Sequence, residues 1–72
     1  MNEIAEVLGK KIKLLRIEKD YTQLDLSFNA GLNRTYLGKI ERGEVNLTIE
    51  KLNEIGIALG LKPSEILAEI GL

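Results

Sequence analysis

The chain has 72 residues, a formal net charge of −1, and neither cysteine nor histidine, which excludes disulfide staples, thiolate and imidazole chemistry and the ordinary zinc ligands. No apolar run approaches the ~18 residues of a membrane span, and carboxylates interrupt the short apolar runs of the opening MNEIAEVLGKKIK, so one soluble, cytoplasmic domain over residues 1–72 is expected. A core this small contributes only about 3–5 kcal/mol, so pairing with a second copy is expected on physical grounds.

From Glu3 to Lys19, Ile4, Leu8, Ile12 and Leu15 recur at helical spacing and predict an amphipathic first helix. Asp20-Tyr21 breaks the pattern, and Thr22 with Asp25 three residues on forms a capping pair for a second helix over 23–30. Gly31 suits a left-handed stop, and Asn33 caps a third helix of about Arg34 to Arg42, closed by Gly43. So short a connection makes the two helices cross steeply. Glu44-Val45-Asn46-Leu47 reads as an ordered loop. Thr48 caps a fourth helix with the face Ile49, Leu52, Ile55 and Leu59, ended by Gly60, and Pro63-Ser64 start a short fifth carrying Ile66, Leu67 and Ile70. No alternating strand pattern appears.

Two short helices joined by a glycine-containing turn, in TQLDLSFNAGLNRTYLGKIERG, match the DNA-reading helix-turn-helix unit. The sequence here resembles the phage-repressor and Cro type of regulator through Gln23, Gly31, Leu37, Ile40 and the run Glu41-Arg42-Gly43. The resemblance covers roughly residues 8–67 and implies an all-α, five-helix, lambda-repressor-like domain. Within that family, GLNRTYLGKIERGEVNLTIEKL is most similar to the controller proteins of restriction–modification systems. Ser27 departs from the alanine usual at the close helix contact; its hydroxyl is expected to bond its own helix backbone.

A wheel of the third helix turns Leu37 and Ile40 inward, and Thr35, Gly38, Lys39 and Arg42 outward. Arg34 stands near the helix start, where a guanidinium suits a guanine edge; Thr35 suits a thymine methyl or a phosphate, and Lys39 a base or the backbone. Gly38 is expected to let the helix sit deep in a groove. Gln23, at the first turn of helix two, suits a phosphate oxygen, and the resemblance implies the same role. Asn33, Tyr36, Arg42 and Asn46 are further backbone candidates, and Lys10, Lys11 or Lys13 are candidates for flanking phosphates. For Arg16 and Glu41 the family pattern implies a structural ion pair between helices one and three. Gly38 and Gly56 fall inside helices, at a cost that close packing or close approach of DNA would explain.

Charge is unevenly spread. Residues 1–42 carry eight basic and six acidic side chains, +2, and residues 43–72 two and five, −3, so a polyanion should meet the first part. Leu47, Ile49, Ile57, Ile66, Ile70 and Leu72 exceed what a small core must bury, and the strip they form either covers the core or pairs two chains. Regulators that resemble this chain dimerise through that region, which implies a two-fold interface setting two third helices one DNA turn, ~34 Å, apart. The expected partners are double-stranded operator DNA, a second copy and, as a further candidate, RNA polymerase, with no membrane, cofactor or metal. Asp20, Asp25, Glu44, Glu50 and Glu54 read as solvated surface. The rival reading is a protein–protein module, an antitoxin or adaptor reusing the fold, favoured by the weak net charge and by Gly38; an enzyme lacks a nucleophile–base pair or phosphate loop.

Overall fold

Short polar side chains set where the helices begin. In a computed structural model describing residues 3–72, the elements are α1 (Glu3–Glu18), α2 (Gln23–Ala30), α3 (Arg34–Glu41), α4 (Ile49–Leu59) and α5 (Pro63–Ala68). The described residues include no strand. The Thr22 hydroxyl accepts the Asp25 amide at 3.0 Å, and the Asp25 carboxylate accepts the Thr22 amide at 2.9 Å, closing the reciprocal box that starts α2. Asn33 Oδ1 accepts the Thr35 and Tyr36 amides at 2.8 and 3.2 Å, and the Thr48 hydroxyl accepts the Lys51 amide at 3.1 Å. At α5, Pro63 occupies the first helical position, and Glu65 reaches back to the Lys62 amide at 2.8 Å.

The stops are equally local. Gly31 has φ 67°, and the Leu32 amide returns to the Ser27 carbonyl at 2.8 Å, the doubled-back closure that a left-handed residue permits. Gly60 closes α4 likewise. Asp20, the turn after α1, is the one non-glycine residue described with positive φ, 59°, a conformation aspartate tolerates better than most side chains. α1 ends one residue before Lys19, Arg42 caps α3 from outside, and α5 ends at Ala68, so Ile70 lies beyond the last helix.

α1 packs against α3 and α5, α2 against α3 and α4, and α4 against α5. Ile12, Leu26, Leu37, Ile55, Leu59 and Ile66 are the largest fully buried side chains. The apolar faces read from the sequence enter this core except at their first positions, Ile4 and Ile49, which stay exposed. The Ser27 hydroxyl bonds the Leu24 carbonyl at 2.9 Å, which satisfies it without leaving its own helix.

Two glycines inside helices mark where backbones nearly touch. A Cβ on Gly9 would overlap the Ile40 carbonyl oxygen, and one on Gly56 would lie 2.5 Å from the Leu61 carbonyl oxygen. Gly56 is thus a packing position in the α4–α5 corner, and Gly9 is what allows α1 to lie against α3. Gly9→Ala is expected to destabilise by about 1–3 kcal/mol, since the obstacle is backbone and cannot rotate away. Thermal unfolding should show it, with Tm falling roughly 4–8 °C per kcal/mol in a domain of this size; an unchanged Tm would contradict the close crossing.

Candidate nucleic-acid interface

α3 is held by a buried charge at its end. Glu41 sits at the last turn, its side chain only 2% exposed, and receives the Arg16 guanidinium of α1, 10% exposed, through Nε at 2.7 Å and Nη2 at 3.1 Å. Arg16 Nη1 donates to the Tyr21 carbonyl at 2.8 Å, and Gln23 Nε2 at the start of α2 donates to Glu41 Oε1 at 3.0 Å. The Arg16–Glu41 pair therefore joins α1, the turn after it, α2 and α3. No buried polar side-chain atom among the described residues lacks a partner, the condition under which a buried ion pair is tolerated. Gln23 was read from the sequence as a phosphate contact; its amide nitrogen also belongs to this brace, a role its position alone did not reveal.

Braced in this way, α3 presents Arg34, Thr35 and Lys39 as exposed side chains on its outer face, with Leu37 and Ile40 buried on the inner one. Asn33 is occupied as the helix cap, and Tyr36 is half-buried against the core. Asn46 is exposed in the loop before α4. Gly38 is buried, contrary to its expected place as an open approach to the groove: Arg42 folds back across it, and a Cβ there would lie 3.1 Å from Arg42 Nη1. The Arg42 guanidinium is held in turn by Glu44, with Nε–Oε2 at 2.7 Å. That hydrogen bond raises the pKa of Arg42 and lowers that of Glu44, a pairing that the reading of Glu44 as plain solvated surface overlooked.

Among the lysines of α1, Lys10 and Lys13 line a groove of ≈ 440 Å³ beside Arg42, together with Glu3, Glu6, Val7 and Glu41. Lys11 points elsewhere, toward Glu69 beyond α5 at 3.4 Å. The set of residues expected at a two-fold interface also needs correction. Ile66 is 0% exposed, because α5 turns it into the core against Gly56, and it is not available to a partner. Ile49, Ile57 and Leu72 are exposed, whereas Leu47 and Ile70 are half-buried against the core. Ile4, missed in the sequence because its spacing suggested the core, lines one groove with Leu47 and another with Val7, Ile70 and Leu72. A separate apolar pair, Leu24 and Phe28, lies exposed on α2; neither was singled out by the sequence.

Residues 12–66 match the helix-turn-helix family model. The control protein C.BamHI of Bacillus amyloliquefaciens is 36% identical over 67 residues, covering 92% of this chain and 83% of its own. The control protein C.MunI of a Mycoplasma species is 38% identical over 71 residues, covering 97% and 96%. Among solved structures, the restriction–modification controller C.Esp1396I, a tetramer in complex with its natural 35 base-pair operator, superposes with a TM-score of 0.89 at 33% identity, covering 97% of this chain and 92% of that one.

Removing one partner of the α1–α3 ion pair strands the other charge in the interior. Glu41→Ala is expected to cost roughly 3–5 kcal/mol, enough to leave a substantial unfolded population in a core of this size. Urea denaturation followed by circular dichroism checks this; a variant as stable as the parent would show that the brace is dispensable.

Proposed function

The chain belongs to the helix-turn-helix family of transcription regulators, and we propose that it acts as a dimeric, sequence-specific DNA-binding controller of a restriction–modification operon, recognising a pseudo-palindromic operator. The observation that carries this reading is the outer face of α3. Exposed Arg34, Thr35 and Lys39 stand on a helix whose end is fixed by the buried Glu41, the rigid mounting that major-groove readout requires.

In this reading Arg34, Thr35 and Lys39 meet base edges, and Gln23, Asn33, Tyr36, Arg42 and Asn46 position the backbone, with Lys10 and Lys13 toward flanking phosphates. The Gln23 and Leu24 amides at the start of α2, which the Thr22–Asp25 box does not use, suit a phosphate oxygen even with Gln23 Nε2 donated to Glu41. The strip Leu47, Ile4, Ile70, Val7 and Leu72, with Ile49 and Ile57 of α4, is the surface that a second copy covers. Exposure of isoleucines at 63% and 71% on α4 favours such burial. The acidic second part then lies away from the duplex. Among the described residues no helix is long and apolar enough to cross a membrane, in keeping with action in the cytoplasm. RNA polymerase is the partner through which a bound dimer would alter transcription.

Selection of random duplex DNA by the purified protein tests the reading. The expected result is a two-fold symmetric site with half-sites one turn apart, ~34 Å, bound progressively more weakly as salt rises. No consensus at low salt would favour the protein–protein alternative. Arg34→Ala is expected to cost about 1–3 kcal/mol and relax one base position in each half-site; an equal loss on every sequence would make Arg34 a phosphate contact instead.

A further inference from the structure

The segment that ends α3 is fixed in space, and it carries a carboxylate onto the outer face of that helix. Gly43 adopts φ 73°, its amide returns to the Ile40 carbonyl at 3.0 Å, and the Glu44 amide returns to the Lys39 carbonyl at 2.9 Å, a doubled-back helix stop with little freedom. The turn is also wedged against α1, where a Cβ on Gly43 would come within 2.6 Å of the Glu6 Cα. Glu44 therefore projects from a rigid corner. Its carboxylate takes Arg42 Nε at 2.7 Å and Nη2 at 3.4 Å, while the side chain at residue 38 is a hydrogen, leaving room for the guanidinium to lie across the helix.

Arg42 and Glu44 remain 57% and 51% exposed, so water screens the pair and it adds little to folding. A two-pronged carboxylate is, however, close in geometry and charge to the phosphate oxygens that a guanidinium binds best. The same carboxylate also feels the charge of Lys39, one of the residues assigned to reading.

We propose that Glu44 is a built-in competitor for DNA phosphate: it occupies Arg42 on the outer face of α3 and holds the affinity of that face below what its cations alone would give. The inference rests on the DNA-binding reading above and adds to it a residue that sets affinity without itself contacting the base pairs. Glu44 takes the Nε–Nη2 edge of the guanidinium, so a phosphate must either displace the carboxylate from that edge or use the remaining N–H groups beside a negative charge, and either course weakens the Arg42–phosphate contact.

The test is a double-mutant cycle in the full chain on the duplex recovered by selection, with affinities measured across a salt series. Glu44→Gln is expected to tighten binding by about 1.5-fold to fivefold at low salt, the range of an exposed ion pair, with the gain shrinking as salt rises. Arg42→Ala should weaken the Glu44→Gln protein more than it weakens the parent, and the Arg42→Ala/Glu44→Gln protein should show little of the gain. Circular dichroism should find both single variants folded, since the pair is exposed. No gain from Glu44→Gln, or a gain that persists in full without Arg42, would overturn the proposal, the second outcome reducing Glu44 to a general repulsive charge. Failure of the parent protein to bind any duplex would instead overturn the DNA-binding reading, and this inference with it.

Discussion

One carboxylate, Glu41, decides how the reading helix is carried. Its side chain is 2% exposed and takes the forked Arg16 guanidinium as its main partner, and Arg16 in turn is fixed by the Tyr21 carbonyl. Gln23 completes the shell from α2. The energetic meaning of such a pair lies less in net stability than in the penalty for misplacing it. Any motion of α3 relative to α1 or α2 leaves a buried charge short of a donor. That penalty converts a small core into a stiff mount, and stiffness is what readout of base edges demands, because an error of about an ångström in side-chain placement is enough to lose it. Gly9 serves the same end from the packing side, by bringing α1 against the backbone of α3.

The two ends of the molecule divide the remaining work. Toward the outer face of α3 the surface holds Arg34, Lys39 and Arg42, with Lys10 and Lys13 beside Arg42, a local cluster of cations that the net charge of −1 conceals and that the proposed function assigns to a polyanion. On another side the apolar strip of Leu47, Ile4, Ile70 and Leu72 offers a surface for a second copy. A monomer reading half a site gains too few contacts for specificity, and a dimer doubles them with a spacing fixed by the protein. In the function proposed above, affinity depends on assembly, and in the inference drawn above Glu44 tempers the cationic face from within.

Local features were legible in the sequence because each depends on residues a few positions apart. The Thr22–Asp25 box, the Asn33 and Thr48 caps and the glycine stops Gly31 and Gly60 all lie within one helical turn, and the helices follow from them to within a residue or two. The Arg16–Glu41 pairing, separated by 25 residues, was reached through family resemblance rather than from spacing. What escaped depends on three-dimensional approach. Ile66 looked like surplus apolar surface because a six-residue helix, α5, has too few turns to declare its inner face. Ile4 looked like core because it continued the spacing of Leu8 and Ile12, although α1 runs past the core at its start. Gly9 is silent without α3 beside it, and Gly38 reads as open to the groove because its cover by Arg42 is a contact of the folded helix end. Gln23 and Arg42 each had a surface role in view that concealed an intramolecular partner.

The proposed function places DNA on the outer face of α3, held by Glu41. Backbone amide shifts of the ¹⁵N-labelled protein, titrated with its selected duplex, test it most directly. Changes concentrated at residues 33–36, 39 and 42 and at the start of α2, with the Arg16 and Glu41 region unmoved, are the predicted result. Changes centred instead on Phe28 and the end of α2 or on α4, with α3 unaffected, would contradict it.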